Sequence, residues 1–289
     1  METRDFGRTG LKVSVLGFGA GQAGAEHHDN NAIGRLLNEV LDLGINLVDT
    51  ARGYGLSEER IGRHLAHRRD DYVLSTKGGY GVEGVPDWTP ESITRGVERA
   101  LRTLRTDRLD IFHLHSCPLD VLQRDDILDA VRGVRDGGLV RAAAYSGENQ
   151  ELAWAAASGV FDSLQTSVNP FDQWSLRNVL PTAQDRGLGI IAKRPIANAI
   201  WKHQERPEGR YGVTYWDRQQ QMRLDPGLDW AEYALRFSAF TSGVHSIIVG
   251  TANIEHLRSN AVQVAKGPLP VELYQMALET FNPDWPGEV

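Results

Sequence analysis

The chain has 289 residues, 41% of them hydrophobic and 24% charged, with a formal net charge of -7 at pH 7. That composition excludes a disordered or fibrous protein, and the acidic balance argues against binding nucleic acid through its phosphates. The start, METRDFGRTG, lacks the apolar stretch of a secretory signal, and no apolar window approaches the length of about eighteen residues that spans a membrane. The lone cysteine, Cys117, has no partner for an internal disulfide. The expectation is a cytoplasmic protein without membrane attachment, folded as one domain over residues 1–289.

A turn at Gly7-Arg8-Thr9-Gly10 precedes a pair of β-like runs over 13–19, which predicts a short N-terminal hairpin leading into the first strand. Ile33, Leu36, Leu37, Val40 and Leu41 then recur at helical spacing until Gly44, and 45–49 (INLVD) reads as a second strand. A helix near 58–67 sets Ile61 and Leu65 on one face, and 72–76 (YVLST) is a third strand. Thr89-Pro90 opens a helix that buries Ile93, Val97, Ala100, Leu101 and Leu104. A strand at 109–114 and a helix through Ile127, Leu128, Val131 and Val134 follow, closed by Gly137-Gly138. The remaining strands fall at 140–145, 163–168, 189–192 and 245–249, with helices around 152–157 and at 179–186, where Pro181 sits in the first turn.

Strands alternating with helices pair in parallel through right-handed crossovers. Eight such units in a chain of this length fit a closed (β/α)8 TIM barrel better than an open doubly wound sheet. The glycine-rich run 17–21 (GFGAG) is not followed at once by a helix, as an open dinucleotide-binding sheet requires. One gap breaks the regular spacing. Between Pro195 and a helix starting near Leu228 lies a polar stretch with Trp201, Tyr211, Tyr215 and Trp216, expected as a long loop after the seventh strand, over the C-terminal mouth.

In such a barrel, chemistry gathers at strand C-termini. Asp49 ends the second strand, Lys77 the third and His115 the fourth, while Tyr54 lies in the loop after Asp49. Ser146 ends the fifth strand, Gln165 and Asn169 flank the end of the sixth, and Lys193-Arg194 end the seventh. Taken singly, each has a structural role open to it: a helix cap, a solvated lysine, a hydrogen-bonded core histidine. Gathered on neighbouring strands they point to one site. A phenol, with a pKa of about 10, transfers protons poorly near neutrality. An ammonium 4 Å away favours the phenolate by roughly 4 kcal/mol at an effective dielectric near 20, and a carboxylate keeps a buried ammonium charged. With an imidazole to hydrogen-bond a carbonyl oxygen, Asp49, Tyr54, Lys77 and His115 read as a proton-donating pocket for a carbonyl being reduced, or for the reverse.

The stretches Gly44-Ile45-Asn46-Leu47-Val48-Asp49-Thr50-Ala51 with Tyr54-Gly55 and Ser57-Glu58, Thr76-Lys77, and Asp110-Ile111-Phe112-His113-Leu114-His115 resemble signatures of the aldo-keto reductase superfamily. So do Gly7-Arg8-Thr9-Gly10-Leu11 and Val249-Gly250-Thr251-Ala252-Asn253 with Asn260, and the resemblance covers nearly the whole chain. It implies a (β/α)8 fold and hydride transfer between NADP, with NAD as the alternative, and a small aldehyde, ketone or sugar. It implies Tyr54 as general acid/base, Asp49 and Lys77 as the groups that tune it, and His115 rather than His113 as the residue that orients the carbonyl. Ser146 and Gln165 match positions at the nicotinamide amide, with Gly147 where the family usually has asparagine. Lys193 and Arg194 stand where an aromatic residue often stacks on the nicotinamide, and are candidates for the pyrophosphate. Gly250, Asn253, His256 and Asn260 match the segment that grips the adenosine phosphate. His256 replaces a common arginine or lysine, a loss that Arg258 would offset by turning inward.

Trp88 and Trp201 are the candidate walls of the substrate pocket. His27-His28-Asp29 lacks the spacing of a zinc site, and no metal is expected. The expected partner is a small carbonyl compound, with the chain monomeric or weakly self-associating. Two readings from other classes stand beside this one: a cofactor-binding regulatory subunit with little turnover, and a lyase barrel in which Lys77 forms a Schiff base.

Overall fold

A computed structural model describes residues 1–208 and 212–288; Tyr211, expected over the barrel mouth, lies outside the described residues. The chain opens with an antiparallel hairpin of β1 (Thr3–Asp5) and β2 (Lys12–Ser14). The barrel then runs β3 (Leu16–Gly19), α1 (Asn30–Asp42), β4 (Leu47–Asp49), α2 (Ser57–Leu65), β5 (Val73–Gly78), α3 (Pro90–Leu104) and β6 (Leu109–His115). Two helices, α4 (Leu119–Leu122) and α5 (Asp125–Asp136), lead to β7 (Val140–Ser146), and α6 (Asn149–Ser158) leads to β8 (Ser163–Ser167). Next come α7 (Trp174–Asn178), α8 (Leu180–Arg186), β9 (Gly189–Lys193), α9 (Val213–Met222), α10 (Trp230–Ala239) and β10 (Ser246–Val249), then α11 (Ile254–Ala265) and α12 (Val271–Thr280). The eight strands β3 to β10 close into a barrel of parallel neighbours, with β10 pairing β3.

Local chemistry accounts for the element ends. The Asp29 carboxylate accepts from the Ala32 amide at 2.8 Å and starts α1, whose apolar positions 33, 36, 37, 40 and 41 are all buried. At α3, Thr89 and Ser92 cap each other's backbone amides, and Pro90 takes the first turn, where no amide is needed. The two runs expected over 13–19 separate at Val15: the first belongs to the hairpin and the second to the barrel.

The hairpin seals the N-terminal end. Phe6, Leu11 and Val13 pack with Leu47, Val73, Ile111 and Ile191 from the lower layer of the barrel, and Phe6 is wholly buried. A Cβ on Gly189 would lie 2.6 Å from the Phe6 ring, so β9 starts with the one residue that lets the ring in. The opposite mouth stays open.

The stretch after β9 departs from a plain loop. It holds a 3-10 turn at Ala197–Lys202 and then α9, anchored by buried Tyr215, Arg218 and Met222. The polar sequence of α9 hides its helical period. α12 likewise went unanticipated: Ala277 is its one fully buried position, so it carries only a narrow apolar stripe. Among the described residues, no helix is long and apolar enough to cross a membrane.

Candidate active site

Asp49, Lys77 and His115 project from adjacent strands β4, β5 and β6 at the open end, and Tyr54 reaches in from the loop after β4. The Lys77 ammonium lies 2.5 Å from Asp49 Oδ2 and donates to the Thr50 carbonyl at 2.8 Å, with both members of the ion pair buried. Asp49 Oδ1 accepts from Ser75 Oγ at 2.7 Å and from Gln165 Nε2 at 3.0 Å. Burial alone would push the Lys77 ammonium down; the Asp49 carboxylate and the Tyr54 phenol outweigh it, and its pKa ends above the ordinary value. An amine held protonated is a poor Schiff-base nucleophile, which weighs against the lyase reading.

Tyr54 is set by close backbone contacts. A Cβ on Gly24 would overlap the Tyr54 carbonyl, and the Leu56 amide donates to the Gly24 carbonyl at 2.9 Å. Arg60 braces the same loop through the carbonyls of Ala23, Ala25 and His28. The phenol ring thereby sits 4.9 Å from the Lys77 ammonium and meets the His115 ring edge-on, with centroids 5.9 Å apart.

The two histidines of β6 face the same way but differ in depth. His113 is fully buried, with Nε2 3.1 Å from Ser75 Oγ; because that hydroxyl already donates to Asp49, the histidine is the donor. Burial, then the Lys77 charge, holds His113 far below its usual pKa. His115 lines the open cavity, and burial followed by Lys77 and Lys193 brings its pKa down to about 3, so its ring is neutral at physiological pH.

That cavity, of about 740 Å3, is lined by Tyr54, His115, Ser146, Gln165, Lys193 and Arg194 among others. Ser146 Oγ donates to Gln165 Oε1 at 3.1 Å, so the two form a buried polar floor. The serine's lone pairs and the spare acceptor site and N–H of the amide suit a ring carboxamide. Position 147 is glycine for a local reason: a Cβ there would lie 2.5 Å from the Tyr145 hydroxyl, which is tied to the Cys117 carbonyl at 3.1 Å.

Lys193 and Arg194, expected as pyrophosphate ligands, hold groups of the chain itself. Lys193 pairs with buried Glu148 at 3.2 Å, and burial lowers its pKa. Arg194 donates to the Glu288 carbonyl at 2.7 Å, and Gly287 exchanges two hydrogen bonds with Asn149. Residues 287 and 288 are thus tied to two residues of the cavity lining, Asn149 and Arg194. Gly250, Asn253, His256 and Asn260 stand apart from this lining, on the turn after β10 and the first two turns of α11, where free helix amides favour an anion. Arg258 does not turn inward; it pairs with Glu39 and Glu255.

The expected substrate walls are placed differently. Trp88 packs on Tyr80 with centroids 5.7 Å apart, and Trp201 stacks on Trp230 at 5.8 Å; neither lines the cavity. Two groups the sequence reading passed over do belong to the site: Glu148, two residues past the end of β7, and Tyr80, two past the end of β5, whose hydroxyl lies 2.7 Å from His115 Nδ1. The signal for both was the rule that exposed the other four, polar side chains just beyond a strand's C-terminus.

Known proteins share this architecture. A model of the Aldo/keto reductase family matches residues 15–277. The chain is 25% identical over 285 residues to an L-galactose dehydrogenase of Arabidopsis thaliana, covering 92% of this chain and 89% of that one. It is 29% identical over 216 residues to a probable voltage-gated potassium channel subunit beta of Oryza sativa, covering 69% and 65%. Among solved structures, an aldo-keto reductase from Bacillus halodurans in its holo form superposes with a TM-score of 0.86 at 27% identity, covering 98% and 97%.

Proposed function

The chain belongs to the aldo/keto reductase family, and from that premise we propose that it moves a hydride between a nicotinamide dinucleotide and a small aldehyde, ketone or sugar. The observation that carries this reading is the convergence of Asp49, Lys77, Tyr54 and His115 at one mouth, with the Lys77 ammonium 2.5 Å from the carboxylate and 4.9 Å from the phenol ring. When bound, the dinucleotide supplies the hydride. The Tyr54 hydroxyl gives its proton to the carbonyl oxygen during reduction and recovers it in the opposite direction. Lys77, kept charged by Asp49, stabilises the phenolate left behind. Neutral His115 hydrogen-bonds the carbonyl oxygen and holds it beside the phenol. Ser146 and Gln165 take the ring carboxamide, and the start of α11 takes a phosphate of the adenosine half.

NADP is the cofactor of this reading, and its margin over NAD is set at His256. A guanidinium offers a fixed fork of donors that fits a phosphate and an imidazole does not, and Arg258 is committed to Glu39 and Glu255. Similarity to a sugar dehydrogenase supports a sugar or sugar-like carbonyl as substrate. Similarity to channel beta subunits supports a second reading, a cofactor-holding subunit with little turnover. One experiment separates the two: titrate nicotinamide fluorescence with NADPH and NADH, then follow absorbance with a panel of carbonyls and alcohols. Binding without hydride transfer in either direction would leave only the second.

A further inference from the structure

We propose that Tyr80 is a positioning residue for His115, fixing the imidazole as its Nε2–H tautomer so that a hydrogen-bond donor faces the substrate carbonyl. The inference deepens the carbonyl-orienting role proposed for His115 and rests on it.

Tyr80 stands between Gly79 and Gly81, both with left-handed backbone at φ 111° and 68°. Its hydroxyl lies 2.7 Å from His115 Nδ1, and the two rings stack at 27° with centroids 5.7 Å apart. From behind, Trp88 packs on Tyr80, and its amide donates to the Gly79 carbonyl at 2.8 Å. A Cβ on Gly79 would collide with the Trp88 ring, so the turn closes over the indole only because residue 79 is glycine. The phenol is thus held from its backbone, from the indole and from the imidazole.

The direction of the hydrogen bond follows from the two groups. A neutral imidazole has one donor nitrogen and one acceptor nitrogen. His115 is neutral because burial, then Lys77 and Lys193, disfavours its cation, while burial and nearby Tyr54 keep the Tyr80 phenol protonated. A phenol donates better than it accepts, and an unprotonated imidazole nitrogen is the stronger acceptor of the two. The O–H therefore points at Nδ1, and the ring proton resides on Nε2. No described residue hydrogen-bonds Nε2, and His115 lines the cavity. The other tautomer would set a lone pair against the lone pairs of a carbonyl oxygen and disfavour the bound carbonyl.

Nitrogen-15 NMR of histidine-labelled protein reads the tautomer directly, with the His115 signals assigned by their loss in His115→Gln. The wild type is expected to show the Nε2–H form. Tyr80→Phe, which keeps the ring and removes the donor, is expected to show a mixture or the Nδ1–H form. A wild-type His115 found as Nδ1–H overturns the proposal before Tyr80→Phe is made, and so does a tautomer that Tyr80→Phe leaves unchanged. Carbonyl turnover gives a second readout: Tyr80→Phe should lower kcat/KM about tenfold with dinucleotide affinity unchanged, and an unaltered kcat/KM counts against it. If the wild type reduces no carbonyl, the reductase reading fails while the NMR result still decides the tautomer.

Discussion

Lys77 keeps its charge inside the protein because the oxygens around it are already placed to receive it: Asp49 Oδ2 and the Thr50 carbonyl. Removing the ammonium strands a buried carboxylate. Lys77→Met should therefore cost about 3–5 kcal/mol in urea unfolding, and adding Asp49→Asn should recover most of it. A single variant as stable as the wild type would show that the pair is not desolvated. Tyr54→Phe, by contrast, removes the proton donor and leaves the Asp49–Lys77 ion pair in place. Turnover should fall by about 10²–10⁴-fold, while a fluorescence titration finds dinucleotide affinity near the wild-type value. At His256, replacement by arginine should raise the ratio of NADP to NAD affinity, and an unchanged ratio would assign the 2′ position to another group. Asp49, Tyr54, Lys77 and His115 were legible because each lies at or just beyond a strand end, where sequence position alone predicts the neighbourhood. The partners of Lys193 and Arg194 were not. Glu148 and the Glu288 carbonyl reach them from 45 and 94 residues away along the chain, a proximity that only the folded path creates.

Elements were readable where burial is broad and hidden where it is narrow. The five apolar positions of α1 announce a helix, and the Thr89-Pro90 pair marks the start of α3. α9 reads as polar because its anchors include Arg218, whose charge is spent on the carbonyls of Phe171 and Pro286. The same contrast governs the hairpin. Short strands β1 and β2 offer little on their own, and their place is held by Phe6 in its slot against Gly189. Phe6→Ala should cost about 3–5 kcal/mol, since the slot cannot collapse against a closed barrel end. Thermal unfolding checks this; a small loss would mean that the hairpin rides on the barrel without sealing it.

For the molecule as a whole, the eight-fold alternation was evident in the sequence because parallel strands and crossover helices leave different periods, whereas ionisation depends on depth and was not. His115, with an ordinary pKa of 6.5 unfolded and about 3 folded, binds a proton more readily in the unfolded chain between those values. Its contribution is complete above pH 6.5 and is lost as pH falls toward 3. At pH 5 the loss is about 2 kcal/mol, so urea midpoints at pH 7.5 and pH 5 should separate more for the wild type than for His115→Gln. Equal shifts would mean that the imidazole is not desolvated. The ring is joined between β3 and β10, so its seam waits for residues 246–249, although the whole tetrad has been translated by residue 115. A nascent polypeptide still short of that seam carries two raw strand edges, open to pairing with other chains. A polypeptide ending at residue 245 should accordingly be digested by protease at concentrations the full chain withstands, with the chemistry of its mouth encoded but not yet assembled.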